Sequence, residues 1–567
     1  GMNLKQVSRY SSVFLLMFAA SAFAAPKLRL STTAVGPVVV APGGSTSAAA
    51  VDYTNAGDGS LNLTAKSSVT WLNPIVSGGK INLNVQAGTL TRGSYTGLVT
   101  VSDPNAVDAP QTISVTIQVG TAIPDKVDLY VAPNGSSDSI DFVAGSKLNA
   151  AITTQNNLAF LSLPGSGSFA FNVPYQIVGK HLPGMAEGNY TGTIVTSNST
   201  FAPDNKSTPV TLHVTSQPIA RLTPSGLVSY RIAQGGPKTT QYVSIANGGQ
   251  GTLSITAATA TTTTGGNWLS AATPAGFSGI SLDFDPSVIT APGTYQGSVA
   301  VTTNAANGPI TVPVQFEVFA AGTPISYYGG AVNNAAAEAG DVLAQGTIVA
   351  LFGEQFTLGA PQQGTLPLTT DLAGTKVFVN DQPAPLFYSS YNQINFQVPY
   401  NAATGPGLIR VERPGQRGNS ISVTIAARAP RILKLGIDRY GIIVNEDGSF
   451  PIPTTPGISS HPAKAGDVLV IYAIGLGQTS PPVVEGASAP TSPLATVPTI
   501  TNVLFGGGGF AGESIAVPPM FAGLTPGYAG LYQVNVTVPA GLPPGETRLI
   551  LQGSDGTLSQ ISYISVQ

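Results

Sequence analysis

The chain has 567 residues, of which 42% are hydrophobic, and by the usual length prior it holds about four to five domains. Only 9% of its residues are charged, against roughly 25% in ordinary soluble domains, and a net charge of −3 with no basic block excludes the electrostatic footprint of a nucleic-acid binder. The absence of cysteine excludes thiol nucleophiles, thiolate metal sites and disulfides, while abundant Gly (66) and Pro (45) among β-branched residues read as all-β rather than disordered.

Residues 1–25 read as a signal peptide. Lys5 and Arg9 give the positive start, Val13–Ala20 a short apolar core, and Ala22-Phe23-Ala24 the small-x-small cleavage site. That core is too short to span a bilayer, and no second apolar run reaches membrane length. An exported chain is expected, secreted or held at the cell surface, with no membrane span in the mature protein.

A repeat follows. Gly93-Ser-Tyr-Thr-Gly97, Gly188-Asn-Tyr-Thr-Gly192 and Gly293-Thr-Tyr-Gln-Gly297 recur at the spacing of small sandwiches, and each leads into an alternating strand. Alternating runs at Ile113–Val119, Val210–Val214 and Ile310–Val318 close the units, since alternation marks strands with one buried face. Modules are therefore expected at 26–120, 121–216 and 217–320. Upstream in each lies an aromatic step, Trp71-Leu72, Phe160-Leu161 and Trp268-Leu269. The two Trp side chains read as core plugs, with a ligand platform as the other reading. Asn55-Ala-Gly-Asp-Gly-Ser-Leu61 matches Asn247-Gly-Gly-Gln-Gly-Thr-Leu253, and the middle module lacks it.

These features resemble the BACON-like, immunoglobulin-type bacterial modules over about 26–320, closely in the first and third copies and weakly in the second. The carrying residues are the N-x-G-x-G-x-L stretch, the W-L-x step, the G-x-Y-x-G turn and the terminal alternating strand. The resemblance implies β-sandwiches attached to secreted, glycan-related proteins, and a carbohydrate-binding role by association.

Residues 321–430 and 431–567 are expected to form two further sandwiches, opened by Gly346–Gly353 (GTIVALFG) and Gly466–Ala473 (GDVLVIYA). Each then writes the same strand: YNQINFQVPY at 391–400 and LYQVNVTVPA at 531–540. Together with Ala384–Tyr388 and Tyr472–Thr479, these motifs resemble the C-terminal domain of acidobacterial secreted proteins of the Solibacter type. That domain is similar to IPT/TIG-type immunoglobulin folds. The resemblance implies export and a β-sandwich, and no known activity.

Side chains alternate faces along a strand. Ile394, Phe396 and Val398 should face one way, and Gln393, Asn395 and Gln397 the other. The echo sets Val534, Val536 and Val538 against Gln533, Asn535 and Thr537. Pro399 and Pro539 cannot donate to a ladder and should end the strands. One reading has the amides decorate a solvated face or bond a crossing loop. The other makes Tyr388, Tyr391, Gln393, Asn395, Tyr528, Tyr532, Gln533 and Asn535 a glycan-contacting strip, because aromatic faces beside amide donors and acceptors suit sugars.

Catalytic sets are not found in the sequence. His181, His213 and His461 do not pair at ligand spacing, and there is no HExxH and no G-x-S-x-G. Asp283 and Asp285 would share a strand face, and Glu446-Asp447-Gly448 reads as a hairpin turn. Both read as structural rather than as the facing carboxyls a glycosidase needs, and Asp283 with Asp285 could hold calcium if a loop carbonyl joined them, although no EF-hand spacing is present. The glycine run 506–509 lacks the Lys-Ser/Thr of a phosphate loop and reads as a hairpin tip. The expected protein is a non-enzymatic, cofactor-free, extracellular adhesion or carbohydrate-binding chain, its partners a polysaccharide, a cell-surface glycan or other surface proteins and not nucleic acid. Two other readings stand beside it: a structural spacer or surface-layer-like protein, and a glycan-active enzyme with an unrecognised site.

Overall fold

Alternation in the sequence becomes alternation in burial. Along the strand Gln111–Val119, Ile113, Val115, Ile117 and Val119 are fully buried while the residues between them are partly exposed. The computed structural model describes residues 25–567 except 48, 166–172, 336–341, 437–438 and 508–513. The expected signal peptide, save residue 25, and Gly508 and Gly509 of the glycine run lie outside the described residues. What is described is all-β: ten sheets, and only single-turn 3-10 helices besides. The sheets pair around five separate apolar clusters as tandem immunoglobulin-like sandwiches, numbered here as modules one to five in chain order.

In module one, Ala34–Val40, Thr64–Ser67, Gly93–Ser102 and Gln111–Val119 form one sheet, and the strands around Lys80–Gln86 form the other. Ala34–Val40 runs parallel to the closing strand Gln111–Val119. The same parallel pairing recurs between Val127–Val131 and Ser207–Val214, between Val228–Ala233 and Ile310–Phe319, and between Leu343–Ala344 and Gln416–Ala426. An early strand thus closes the edge of the sheet that carries the last strand, which hides backbone groups an open edge would expose.

The repeated motifs have physical jobs. The G-x-Y-x-G segments, expected as turns, are the first five residues of strands Gly93–Ser102, Gly188–Ser197 and Gly293–Thr303. In all three copies the tyrosine hydroxyl donates to the carbonyl four residues back: Tyr95 to Thr91 (3.0 Å), Tyr190 to Ala186 (3.0 Å) and Tyr295 to Ala291 (2.6 Å). Each bond ties the incoming loop to its strand, as in the tyrosine corner of immunoglobulin-like sandwiches. The second glycine makes room for the aromatic step. A Cβ on Gly97 would stand 3.1 Å from the Trp71 ring, and one on Gly297 would stand 3.3 Å from Trp268.

Asn55 and Asn247 explain the other motif. The Asn55 Oδ1 accepts from the Lys27 and Gly57 backbone N–H groups, both at 2.9 Å, and its Nδ2 donates to the Gly59 carbonyl. Asn247 repeats the set with Ile219, Gly249 and Gly251. Each asparagine pins the chain entering its module, and the glycine two residues on admits that chain. A Cβ on Gly57 would come within 2.2 Å of the Ala25 carbonyl oxygen, and one on Gly249 within 2.3 Å of that of Gln217.

Polar joints connect the modules. Arg92 spans the first joint, donating to the carbonyls of Thr121 (2.9 Å) and Ile123 (2.7 Å) and pairing with Asp125. Arg221 bridges modules three and two through Asp138 (2.8 Å) and the Tyr130 carbonyl (2.6 Å). Arg231 bridges modules three and four through Glu354 (2.7 Å). The chain also returns on itself. Asp108 of module one, 1% exposed, accepts from the backbone N–H (2.7 Å) and hydroxyl (3.1 Å) of Ser422 in module four. Arg29 pairs with Asp108 and lies 4.1 Å over the Tyr328 ring. Docked in this way, module one also faces module three.

Candidate functional site

The strand Gln393–Gln397 sits between Ile348–Glu354 and Leu386–Ser389. Ile394 and Phe396 are fully buried in the module-four core. On the opposite face Gln393 lies across from Phe352, and Asn395 lies across from Tyr388. The Gln393 Nε2 donates to the Asn395 Oδ1 at 2.9 Å. Phe352 is 37% exposed, and Tyr388, Gln393 and Asn395 are partly exposed.

Module five builds the same face. In Tyr532–Thr537, Val534 and Val536 enter the core, and the Gln533 Nε2 donates to the Asn535 Oδ1 at 3.2 Å. Tyr472 lies across from Gln533 and Phe521 from Asn535. Each internal amide bond uses one donor and one acceptor. The Gln carbonyl and the Asn amino group make no other hydrogen bond among the described residues. Both strips therefore offer an acceptor and a donor beside an aromatic ring.

Two of the expected contacts are corrected by burial. Tyr391 is 8% exposed and packs into the core of module three, where its hydroxyl accepts from the Ala233 N–H at 2.9 Å. Burial holds that hydroxyl protonated well above the ordinary tyrosine range. Tyr532 is wholly buried and donates to the Gly477 carbonyl at 2.5 Å. Neither ring presents a face to a sugar, because each fills a joint or a core. Tyr528 is 56% exposed, but on a loop before its strand. The third amide, Gln397, is 1% exposed, donates to the Gly346 carbonyl (3.1 Å) and accepts from the Gly486 N–H of module five (2.7 Å).

The remaining candidates have structural partners. Trp268 is fully buried and donates to the Thr264 carbonyl, and Phe160 holds the equivalent place in module two. His181 is buried, its Nδ1 accepting from the Gly135 N–H. His213 stacks on Tyr130 at 4.4 Å and bonds Asp128 and Asn189. His461 pairs with Asp447 (3.0 Å). Asp283 and Asp285 flank the buried Phe284 and each has its own local partner. Asp283 accepts from Thr240 and pairs with Lys238, whereas Asp285 lies past the strand end and caps Ser287. Among the described residues no group of three or more His, Cys, Asp or Glu is placed to hold a metal ion.

A concave feature away from these strips was not legible in the sequence. A groove of about 740 Å³ runs between modules one and three. Trp71 and Tyr95 line one wall, and Gln296, Gln315 and Glu317 line the other. Trp71 belongs to the module-one core, and the same side chain reaches this groove. Glu317 is 8% exposed, and its carboxyl is pushed up chiefly by burial, with Arg231 and Ser68 opposing the shift. The signal in the sequence was Thr311, Gln315 and Glu317 at alternate positions of Ile310–Phe319, which any wet sheet face would also show.

No family model matches the chain, and a search of curated proteins finds no match. Among solved structures the chain is similar to an endo-fucoidan hydrolase of glycoside hydrolase family 107 (14% identity, 52% of this chain and 45% of that one, TM-score 0.20). It is also similar to SGBP-B of the Bacteroides ovatus mixed-linkage glucan utilization locus in complex with a mixed-linkage heptasaccharide (10% identity, 59% and 65%, TM-score 0.21). A third is Drosophila N-cadherin EC1-4 (12% identity, 65% and 93%, TM-score 0.20). The chain thus spans 45% and 65% of the length of the first two, and at these scores the likeness carries nothing about ligand or activity.

Proposed function

We propose that this is an extracellular, non-catalytic glycan-binding or adhesion protein that presents one sugar-contacting face twice. The observation that carries the reading is the duplicated strip: Gln393 and Asn395 beside Phe352 and Tyr388, and Gln533 and Asn535 beside Tyr472 and Phe521. A sheet face with an amide donor, an amide acceptor and a ring matches the hydroxyls and the C–H face of a pyranose. Two weak sites on one chain raise the apparent affinity for a polymer through effective concentration. The pattern of modules supports BACON-like units followed by IPT/TIG-like units, and the basic start, apolar run and Ala22-Phe23-Ala24 of the amino-terminal sequence support export. Among the described residues no helix is long and apolar enough to cross a membrane.

The test is binding of the whole chain to an array of plant, fungal and bacterial glycans. The expected result is signal on extended polysaccharides that falls when Gln393, Asn395, Gln533 and Asn535 are replaced together by Ala. No signal above background on any glycan overturns the reading. The spacer reading is favoured by a different observation, the bonding of Asp108 to Ser422 across modules one and four. That contact ties module one to module four and would serve a scaffold equally well.

A further inference from the structure

The groove between modules one and three carries a chemical signature of its own. The amide of Gln315 is 4% exposed, lines the groove, and makes no side-chain hydrogen bond among the described residues. It sits on Ile310–Phe319, whose alternate residues Val314, Phe316 and Val318 fill the module-three core, so Gln315 points outward to module one. Most of the residue is covered, but its amide nitrogen and oxygen are not sealed from solvent and open onto the groove. An amide that has no protein partner and opens onto a groove is placed to bond whatever enters.

We propose that this groove binds a neutral oligosaccharide, with the Gln315 amide as its central hydrogen-bonding group and Trp71 and Tyr95 as its apolar wall. A carboxamide both donates and accepts, and so does a sugar hydroxyl; adjacent hydroxyls of one ring can satisfy both ends of the amide. The aromatic wall suits the C–H face of the ring. Neutral chemistry is indicated because the groove carries no surplus charge. Glu317 is countered by Arg231 (3.7 Å), and Lys66 at the mouth is the other charged lining residue. Neither sign would hold an ionic ligand by charge alone. The volume of about 740 Å³ falls within the range of about 300–1,000 Å³ typical of small-molecule sites, and suits a short run of sugar units.

The site is separate from the strips of modules four and five and stands whether or not they bind. Its readout is separate as well. The chain holds two tryptophans, and Trp268 is sealed in a core while Trp71 lines the groove.

The experiment titrates the whole chain with cellotetraose, laminaritetraose, xylotetraose and mannotetraose, following tryptophan emission and calorimetric heat. The expected result is saturable binding of at least one of them, with an emission change that Trp71→Phe abolishes. Gln315→Leu should weaken that binding about tenfold or more, corresponding to roughly 1.4 kcal/mol, while the melting temperature stays nearly unchanged because the amide has no partner within the protein to lose. Gln296→Ala, on the exposed rim, gives a second variant that should weaken binding severalfold without touching a buried group. Absence of heat and emission change with all four sugars at several millimolar overturns the proposal. So does binding that Gln315→Leu and Gln296→Ala both leave intact.

Discussion

Modules four and five write the same strand, and comparing the two copies shows which properties travel with a motif and which depend on its neighbours. Both copies bury their aliphatic residues, and both join Gln to Asn on the opposite face, at 2.9 and 3.2 Å. They differ where another module arrives. Tyr391 stands at the start of the first copy and enters the core of module three, whereas Leu531 begins the second copy and stays partly exposed. Gln397 is sealed between modules four and five, whereas its counterpart Thr537 is partly exposed and donates to the Met520 sulfur. A motif thus fixes the direction of its side chains, while its place in the array decides whether those side chains meet water.

The largest expected effect breaks that comparison at Tyr391. Tyr391→Ala should cost about 3–5 kcal/mol by opening a cavity in module three, whereas Leu531→Ala should cost about 1 kcal/mol; denaturant unfolding of the two variants checks the difference. Next comes the buried amide. Gln397→Ala leaves the Gly486 N–H and the Gly346 carbonyl without this partner and should destabilise the joint by about 2–3 kcal/mol, with faster proteolysis between modules four and five. Thr537→Ala should stay within about 0.5 kcal/mol. Equal outcomes for Gln397 and Thr537 would refute a role for position in the array.

A smaller effect sharpens what the copies share. Replacing Gln393 and Asn395 by Ala, or Gln533 and Asn535 by Ala, should change stability by less than about 0.5 kcal/mol. Each double variant should lower glycan-array signal severalfold, to a similar extent, and unequal losses would assign binding to one module.

The smallest effect belongs to a loop of module five alone. Hydrogen bonds from Ser449, then from His461, hold Asp447 well below the usual carboxylate range. The Pro462 carbonyl, then Asp447, raise the imidazole of His461 above 6.5. The aspartate contribution is complete above its ordinary value of 3.8 and fades as pH falls towards the lowered one. The histidine contribution is complete below 6.5 and is lost as pH rises through the elevated value. Amide protection across residues 446–461, taken relative to the intrinsic exchange rate at each pH, should therefore be greatest between those limits, and His461→Ala should remove the loss of protection on the alkaline side.

The strand alternation, the core tryptophan at 268 and the turn at Asp447-Gly448, where Gly448 takes φ +81°, were readable because they depend on residues near one another in sequence. The amide strip was readable for the same reason. Its aromatic partners were read less well. Phe352, Tyr472 and Phe521 meet the amides across strand pairs, and no local pattern marks them as neighbours. Tyr391 and Tyr532 looked like surface rings beside the amides, yet Ala233 and Gly477 claim their hydroxyls.

The amino-acid sequence alone determined that this chain is all-β, which aliphatic residues of the repeated strands face inward, and where the repeated motifs fall, because a period of two is a property of the backbone itself. Only the tertiary structure decided which outward faces are covered. Asp108 meets Ser422 from more than half the chain away, and in docking there module one stands over Gln315 and creates a groove. A side chain's direction is fixed within its own strand, but its exposure is set by whatever surface packs against that strand.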